Sequence, residues 1–233
     1  FTGGPRLLVA RDMRESGVEL SRAFAEGARA EGVTVVDLGL ASTDLLYFAA
    51  GSLDAPGAMF TASHNPARYN GLKLCLSGAR PIGRDTGLLE IQATAESLLE
   101  EWGTGGPPDL DPTALAPLEE QSVLEAYADH VRSFVDVTTL RPLRVVADTA
   151  NGMGGLVAPK VFEGLPFEVS ILFPELDGNF PNHPADPIQP ENLVSLKEAV
   201  LAAGADVGLA FDGDADRVFL VDEKAEPVSG SLT

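Results

Sequence analysis

Asp212, Asp214 and Asp216 alternate in the run Phe211-Asp212-Gly213-Asp214-Ala215-Asp216-Arg217, between two apolar segments, Val207 to Phe211 and Val218 to Val221. Three carboxylates this close repel one another and resist burial, so an apolar setting on both sides calls for a neutralising cation. With no Cys or His nearby, oxygen-only ligands select a hard ion, Mg²⁺ before Ca²⁺. An EF-hand calcium loop also starts Asp-x-Asp-x-Asp and would find its twelfth-position acid in Glu223. Its sixth position needs a glycine for a sharp turn, however, and here holds Arg217; the flanks read as strands instead of helices. An acidic surface turn is the plainer alternative, since Asp and Gly are ordinary turn residues. The arginine directly after the third aspartate adds an anion-binding group to the cation site.

A second constellation is Thr61-Ala62-Ser63-His64-Asn65-Pro66. It follows a short apolar run, placing Ser63 at the carboxyl end of a strand, where open α/β sheets bind ligands. Taken alone, Ser-His-Asn-Pro is also good turn chemistry. A Ser–His–Asp hydrolase reading is weakened because His64 directly follows Ser63, so the two side chains diverge, and because the chain lacks a Gly-x-Ser-x-Gly elbow. Of the other histidines, His130 reads as part of a solvated helix face and His183 falls in a proline-rich loop.

The elements that must position these loops alternate short apolar runs with amphipathic stretches, the pattern of α/β layers with largely parallel sheets. Leu7 to Ala10 reads as a buried strand. A helix then opens near Ser16, turns Val18, Phe24 and Ala28 inward and ends at Gly32. Strand Val33 to Val36 follows, then a helix capped by Thr43, a strand at Ala58 to Phe60 and another at Leu72 to Leu76. Helical spacing returns over 85–101 and over 119–135, where Val123, Tyr127, Val131 and Phe134 share one side. Arg141-Pro142 precedes a new strand at 143–147, which puts the domain boundary near residue 140. The second unit repeats the rhythm: a glycine-rich turn at 151–155, a helix through Val161, a strand at 167–172, a long proline-rich loop at 174–190, a helix opened by Pro190 and closed by Gly204, and the strand entering the aspartate loop. The expected architecture is α/β, two consecutive three-layer αβα domains with mixed, mostly parallel sheets, spanning 1–139 and 140–233.

The 233 residues, 45% hydrophobic, exclude a disordered chain. A formal net charge of −19 argues against nucleic acid and anionic membrane as partners, because counterion release needs clustered Lys and Arg. Any bound phosphate must be held by a few basic groups, backbone N–H and metal. The single cysteine, Cys75, sits among Leu72, Leu74 and Leu76 as a buried strand thiol and fits a reducing, cytoplasmic setting. No apolar run reaches a membrane span's length and no signal-peptide pattern opens the chain. The chain opens at Phe1 without Met, and a new element is expected to begin across Ser229 to Thr233, both in keeping with a piece of a larger protein. Nothing in the sequence fixes an oligomeric state.

Taken together, the Ser63 loop, Tyr69-Asn70-Gly71-Leu72-Lys73 and the Asp212 to Arg217 run resemble the phosphohexomutase family, specifically its bacterial phosphomannomutase/phosphoglucomutase branch. Arg11-Asp12-Met13-Arg14, Asp177 to His183 and Pro190 to Leu193 extend the resemblance along nearly the whole chain. The resemblance implies that Ser63 carries a phosphoryl group, that Asp212, Asp214 and Asp216 hold Mg²⁺, and that an oxygen of phosphorylated Ser63 completes the metal's protein-side ligands. It implies transfer from Ser63 to a hexose monophosphate, passage through a hexose 1,6-bisphosphate, and return of the other phosphate to Ser63. His64 and Lys73 become candidates for proton transfer or oxyanion stabilisation, and a general-base lysine would need a lowered pKa. Arg217 would contact the phosphoserine or orient the metal loop, with Arg11, Arg14 and Asn65 supporting substrate or phosphate.

The departures also matter. The family's upstream Tyr-Asp-Ile-Arg-Gly segment is absent, as are its third domain with a sugar-selecting Glu-Gly-Glu loop and its fourth with a Ser-Gly-Thr phosphate clamp. The sequence is therefore expected to represent the first two domains and to have little mutase activity alone. Tyr69 before Asn70-Gly71, where phosphoglucosamine mutases tend to carry Asp, favours mannose or glucose as the sugar. A non-catalytic sugar-phosphate-binding module and a phosphatase are the alternatives from other classes.

Overall fold

In the computed structural model, which describes residues 4–229, ten strands and six α-helices form two sheets, each flanked by helices. The first unit holds β1 (Arg6–Arg11), α1 (Glu15–Ala30), β2 (Thr34–Leu40), α2 (Thr43–Ser52), β3 (Gly57–Phe60), β4 (Leu72–Leu76), β5 (Arg80–Pro81), α3 (Leu88–Trp102), β6 (Leu118–Glu120) and α4 (Leu124–Arg132). The second holds β7 (Leu143–Asp148), α5 (Gly154–Phe162), β8 (Phe167–Leu172), α6 (Val194–Ala203), β9 (Val207–Phe211) and β10 (Val218–Val221). The possible new element at Ser229 to Thr233 falls, from Gly230 on, outside the described residues.

Sheet order is β5-β4-β3-β1-β2-β6 in the first unit and β10-β9-β7-β8 in the second. Strands β1, β2, β3 and β6 are mutually parallel, as are β7, β8 and β9, while β4, β5 and β10 pair antiparallel at one edge of each sheet. These are the mixed, mostly parallel sheets expected of the sequence. Buried on both faces, β1 alternates Leu8 and Ala10 into the core under α2 with Leu7 and Val9 into the core under α1. In the second sheet Val146 packs with Leu196 and Val200 of α6, while Val157 of α5 and Met153 just before it pack on the opposite side with Phe211 of β9.

Topology makes the crevices. From β1 the chain passes through α1 to β2 on one side and then through α2 to β3 on the other, so the carboxyl ends of β1 and β3 diverge at a switch point. The same reversal separates β7 from β9. The Arg14 and Ser63 loops leave the first switch point, and the Asn151 and Asp212 loops leave the second. The cluster under α2 continues into Met153, Val157 and Ala215, and the Arg132 guanidinium donates to the Lys160 carbonyl at 2.6 Å, so the two crevices are held face to face.

Several sequence-based boundaries shift. The buried stripe of α1 runs through Gly17 and Ala25, leaving Val18 half-exposed instead of inward. The stretch 119–135 is not one helix: Leu118–Glu120 pairs parallel with β2, and α4 begins only at Leu124. Phe134 lies beyond its end, 73% exposed, with its ring against His130. The cap of α2 is Ser42, whose Oγ accepts from Leu45 N; Thr43 is the first helical residue. Pro190 opens a 3₁₀ turn, Pro190–Leu193, that leads into α6. Gly32 and Gly204 do end their helices, with φ of +79° and +55°. Cys75 is buried in β4, and burial pushes its thiol pKa up. Among the described residues no helix is long and apolar enough to cross a membrane.

Candidate active site

Ser63 and the aspartate loop meet across 149 positions of chain. Ser63 Oγ donates to Asp212 Oδ2 at 2.7 Å and accepts from the Arg217 guanidinium at 2.5 Å. The same arginine nitrogen donates to Asp212 Oδ2 at 2.6 Å and lies 2.6 Å from His64 Nδ1. Ser63 has φ +52°, a left-handed conformation uncommon for serine, and its N–H is tied to Thr61 Oγ1 at 2.9 Å. Such strain persists only where surroundings over-determine it.

Arg14 supplies much of that determination. Its side chain is fully buried, and each of its five N–H groups has an acceptor. Nε donates to Asp12 Oδ2, Nη1 to the Pro66 and Tyr69 carbonyls, and Nη2 to the Ser63 and Asn65 carbonyls, all between 2.7 and 3.1 Å. No donor remains for a substrate phosphate; Arg14 shapes the loop that carries Ser63. Asp12 is its counter-ion, and burial raises that carboxyl's pKa against the hydrogen bonds from Arg14 and Thr61. The long loop seals this arrangement, with Phe180 facing the guanidinium at 5.2 Å and Gly178 so close that a Cβ would lie 2.7 Å from Arg14 Cα. Asn65 is exposed beside Ser63. Arg11 is not drawn into the cluster: its Nη1 donates to the Asp12 carbonyl and its stem packs beside Gly17.

The three aspartates present one carboxylate oxygen each, all within 4.8 Å of one another. Asp212 and Asp214 are fully buried and Asp216 is more open. Lys73 Nζ bridges Asp214 Oδ2 at 2.6 Å and Asp216 Oδ2 at 2.7 Å. Asp214 Oδ1 is a buried oxygen with no hydrogen-bond partner. An orphaned carboxylate oxygen inside an all-oxygen cluster is what a hard divalent cation requires, so these residues fit Mg²⁺. Burial and the neighbouring Asp214 push the Asp212 pKa up to about 6, against its hydrogen bond from Ser63 and the Arg217 charge. Burial also works on Asp214, but Lys73 and the hydrogen bond from Thr43 hold it below the usual carboxylate range. Burial opposes the charge on Lys73, yet Asp214 and Asp216 raise its pKa, the reverse of what a general-base lysine needs.

Sequence reasoning took Thr43 only as a helix cap, whereas its Oγ1 donates to Asp214 Oδ2 at 2.6 Å, and gave Asp12, within the Arg11 to Arg14 run, no role of its own. It also set aside His183, whose Nε2 meets Asp148 Oδ2 at 3.0 Å while Nδ1 meets the Pro184 carbonyl at 2.9 Å. Both acceptors ask for N–H, which suits the imidazolium. Burial opposes that charge, but the Asp148 contact prevails and raises the pKa.

Two opposed switch-point crevices, one presenting a strained serine and the other an acidic triplet that could hold a metal ion, define an α/β protein whose candidate site is shared between its two sheets. Residues 2–101 match the phosphoglucomutase/phosphomannomutase alpha/beta/alpha domain I, and residues 125–226 match domain II of the same family. The chain belongs to the phosphoglucomutase/phosphomannomutase family. It is 40% identical over 228 residues to a protein named phosphohexose mutases from Xanthomonas campestris, covering 97% of this chain and 49% of that protein. It is 38% identical over 230 residues to the phosphomannomutase of Escherichia coli K12, covering 96% and 49%. Among solved structures, a phosphoglucomutase/phosphomannomutase family protein from Burkholderia thailandensis superposes with a TM-score of 0.81 at 36% identity, covering 97% of this chain and 48% of that one. The chain thus spans about half the length of the curated relatives it matches.

Proposed function

We propose that this chain carries the phosphoryl-transfer centre of a Mg²⁺-dependent phosphohexomutase acting on mannose or glucose phosphates, with Ser63 as the phosphorylated residue. The observation that carries the reading is the contact of Ser63 Oγ with both Asp212 and Arg217, beside the orphaned Asp214 Oδ1. In the transfer the Oγ–P bond of phosphorylated Ser63 breaks, a sugar hydroxyl forms the new O–P bond, and the hydroxyl's proton passes by way of a base to the departing Ser63 Oγ. The reverse step from hexose 1,6-bisphosphate restores phosphorylated Ser63.

This chain's residues act by position and charge. Arg14 and the Thr61 hydroxyl hold the Ser63 backbone, which keeps Oγ at the mouth of the crevice. Arg217 lies against Oγ, where its guanidinium can receive charge that develops on the transferred group. Lys73, paired with two carboxylates, serves as a fixed cation in place of a base. His64, whose Nδ1 lies 2.6 Å from the Arg217 nitrogen that contacts Oγ, offers a ring nitrogen able to move a proton near the site. Mg²⁺ held by Asp212, Asp214 and Asp216 would offset the negative charge of the phosphoryl oxygens.

The test is intact-mass measurement of the purified chain after incubation with glucose 1,6-bisphosphate and Mg²⁺. One phosphoryl increment in the wild type and none in Ser63→Ala is the expected result. A folded wild type that takes up no phosphate would refute the reading in favour of a silent binding module, and steady release of free phosphate would favour a phosphatase. Glucosamine phosphates accepting the group in preference to mannose or glucose phosphates would shift the assignment to a phosphoglucosamine mutase.

A further inference from the structure

Thr43 stands at the first position of α2, in the first unit, yet its polar groups face the aspartate loop of the second. Its N–H, one of the helix N-terminal donors that no intrahelical carbonyl can reach, donates to the Asp214 carbonyl at 3.1 Å. Its hydroxyl donates to Asp214 Oδ2 at 2.6 Å, and Lys73 Nζ joins it on the same oxygen at 2.6 Å. Thr43 is 2% exposed and Asp214 fully buried, so water does not compete. Two donors on Oδ2 and none on Oδ1 fix the carboxylate plane and leave one oxygen free, in a cluster whose other two acids lie within 4.8 Å. A β-branched side chain, stiff about χ1, is well suited to such a task. Capping of the helix cannot explain the hydroxyl, because Ser42 already performs it.

We infer that Thr43 is a positioning residue for the cation: its hydroxyl, with Lys73, engages Asp214 Oδ2 so that Oδ1 is held out as a ligand. The inference rests on the reading of the triplet as a divalent-cation site. It makes the affinity of the second unit's metal loop depend on a side chain of the first. Partners that orient a metal ligand in this way typically contribute about 10–100-fold to affinity.

The experiment is Mn²⁺ titration of the whole chain, followed by the electron paramagnetic resonance signal of free ion, for the wild type, Thr43→Val, Thr43→Ala, Thr43→Ser and Asp214→Ala. Thr43→Val keeps the backbone N–H contact and the shape but removes the hydroxyl; it should bind Mn²⁺ about 10–100-fold more weakly. Thr43→Ser should restore binding to near the wild-type level, a rescue that packing alone would not produce. If Thr43→Val fails to fold, Thr43→Ala gives the same comparison without the buried methyl against Asp214. Wild-type affinity in a folded Thr43→Val or Thr43→Ala, with binding abolished in Asp214→Ala, would overturn the role of Thr43 alone. No binding by the wild type, or unchanged binding in Asp214→Ala, would overturn the cation site and this inference with it.

Discussion

Gly213 is the point where the two loops touch, and adding one methyl group there tests the whole arrangement. A Cβ on Gly213 would be driven into the Ser63 carbonyl oxygen, with the Ser63 carbonyl carbon at 3.2 Å and Ala185 Cβ at 3.7 Å. The residue is held against retreat, because its own carbonyl is anchored by Met153 N at 2.9 Å. Relief requires the loops to part by roughly one ångström to reach an ordinary carbon–oxygen separation. That displacement stretches the 2.7 Å Ser63–Asp212 bond and the Arg217 contacts beyond hydrogen-bond range. Overpacking of this kind costs about 1–3 kcal/mol, which for a chain of this size lowers Tm by roughly 2–12 °C. A one-ångström misplacement of reacting groups lowers a rate by about 100-fold. Gly213→Ala should therefore fold, with native circular dichroism, melt a few degrees early, and take phosphate from glucose 1,6-bisphosphate about 100-fold more slowly by time-resolved intact mass. Wild-type melting together with a wild-type phosphorylation rate would show that the loops are not in register-defining contact.

Two further perturbations probe the supports of the site. Arg14→Met strips the buried Asp12 carboxylate of its counter-ion and four loop carbonyls of their donors, so urea denaturation should show a loss of at least roughly 3–5 kcal/mol; a loss under about 1 kcal/mol would contradict the assigned network. His183 supplies the pH test: its folded pKa lies above its ordinary value, so the stabilisation from the Asp148 pair is complete below about pH 6.5 and is lost as pH rises through the folded pKa. The Tm advantage of wild type over His183→Gln should accordingly be largest in mild acid and shrink above neutrality, and a gap independent of pH would rule out the ion pair.

What the sequence disclosed follows from what is local. The aspartate run is legible because its charges conflict with its apolar flanks, and β1, β3 and β9 are legible because a strand buried on both faces is a continuous apolar run. The long loop announced itself by its length and prolines, and it does serve a domain contact, through Gly178 and Phe180 on Arg14. Other features depend on partners far along the chain. Leu118–Glu120 is three exposed residues with no readable period, and it becomes a strand only because β2 offers an open edge. Thr43 looks like a helix cap until Asp214, 171 positions away, is placed beside it. Arg14 reads as a surface charge at a helix start, since nothing local shows that five carbonyl and carboxylate oxygens converge on it.

The close approach of Gly178 to Arg14, and of Gly213 to Ser63, has a consequence for how this architecture can be recombined. Each contact joins a backbone of one unit to a backbone of the other with no room for a side chain between them. A chimera that grafts the second sheet and its helices onto the first unit of a relative must therefore inherit the mating surface as well as the motifs. The heritable module is the seam, comprising Arg14, Thr43, Gly178 and Gly213, and it runs across the chain's two units instead of lying within either.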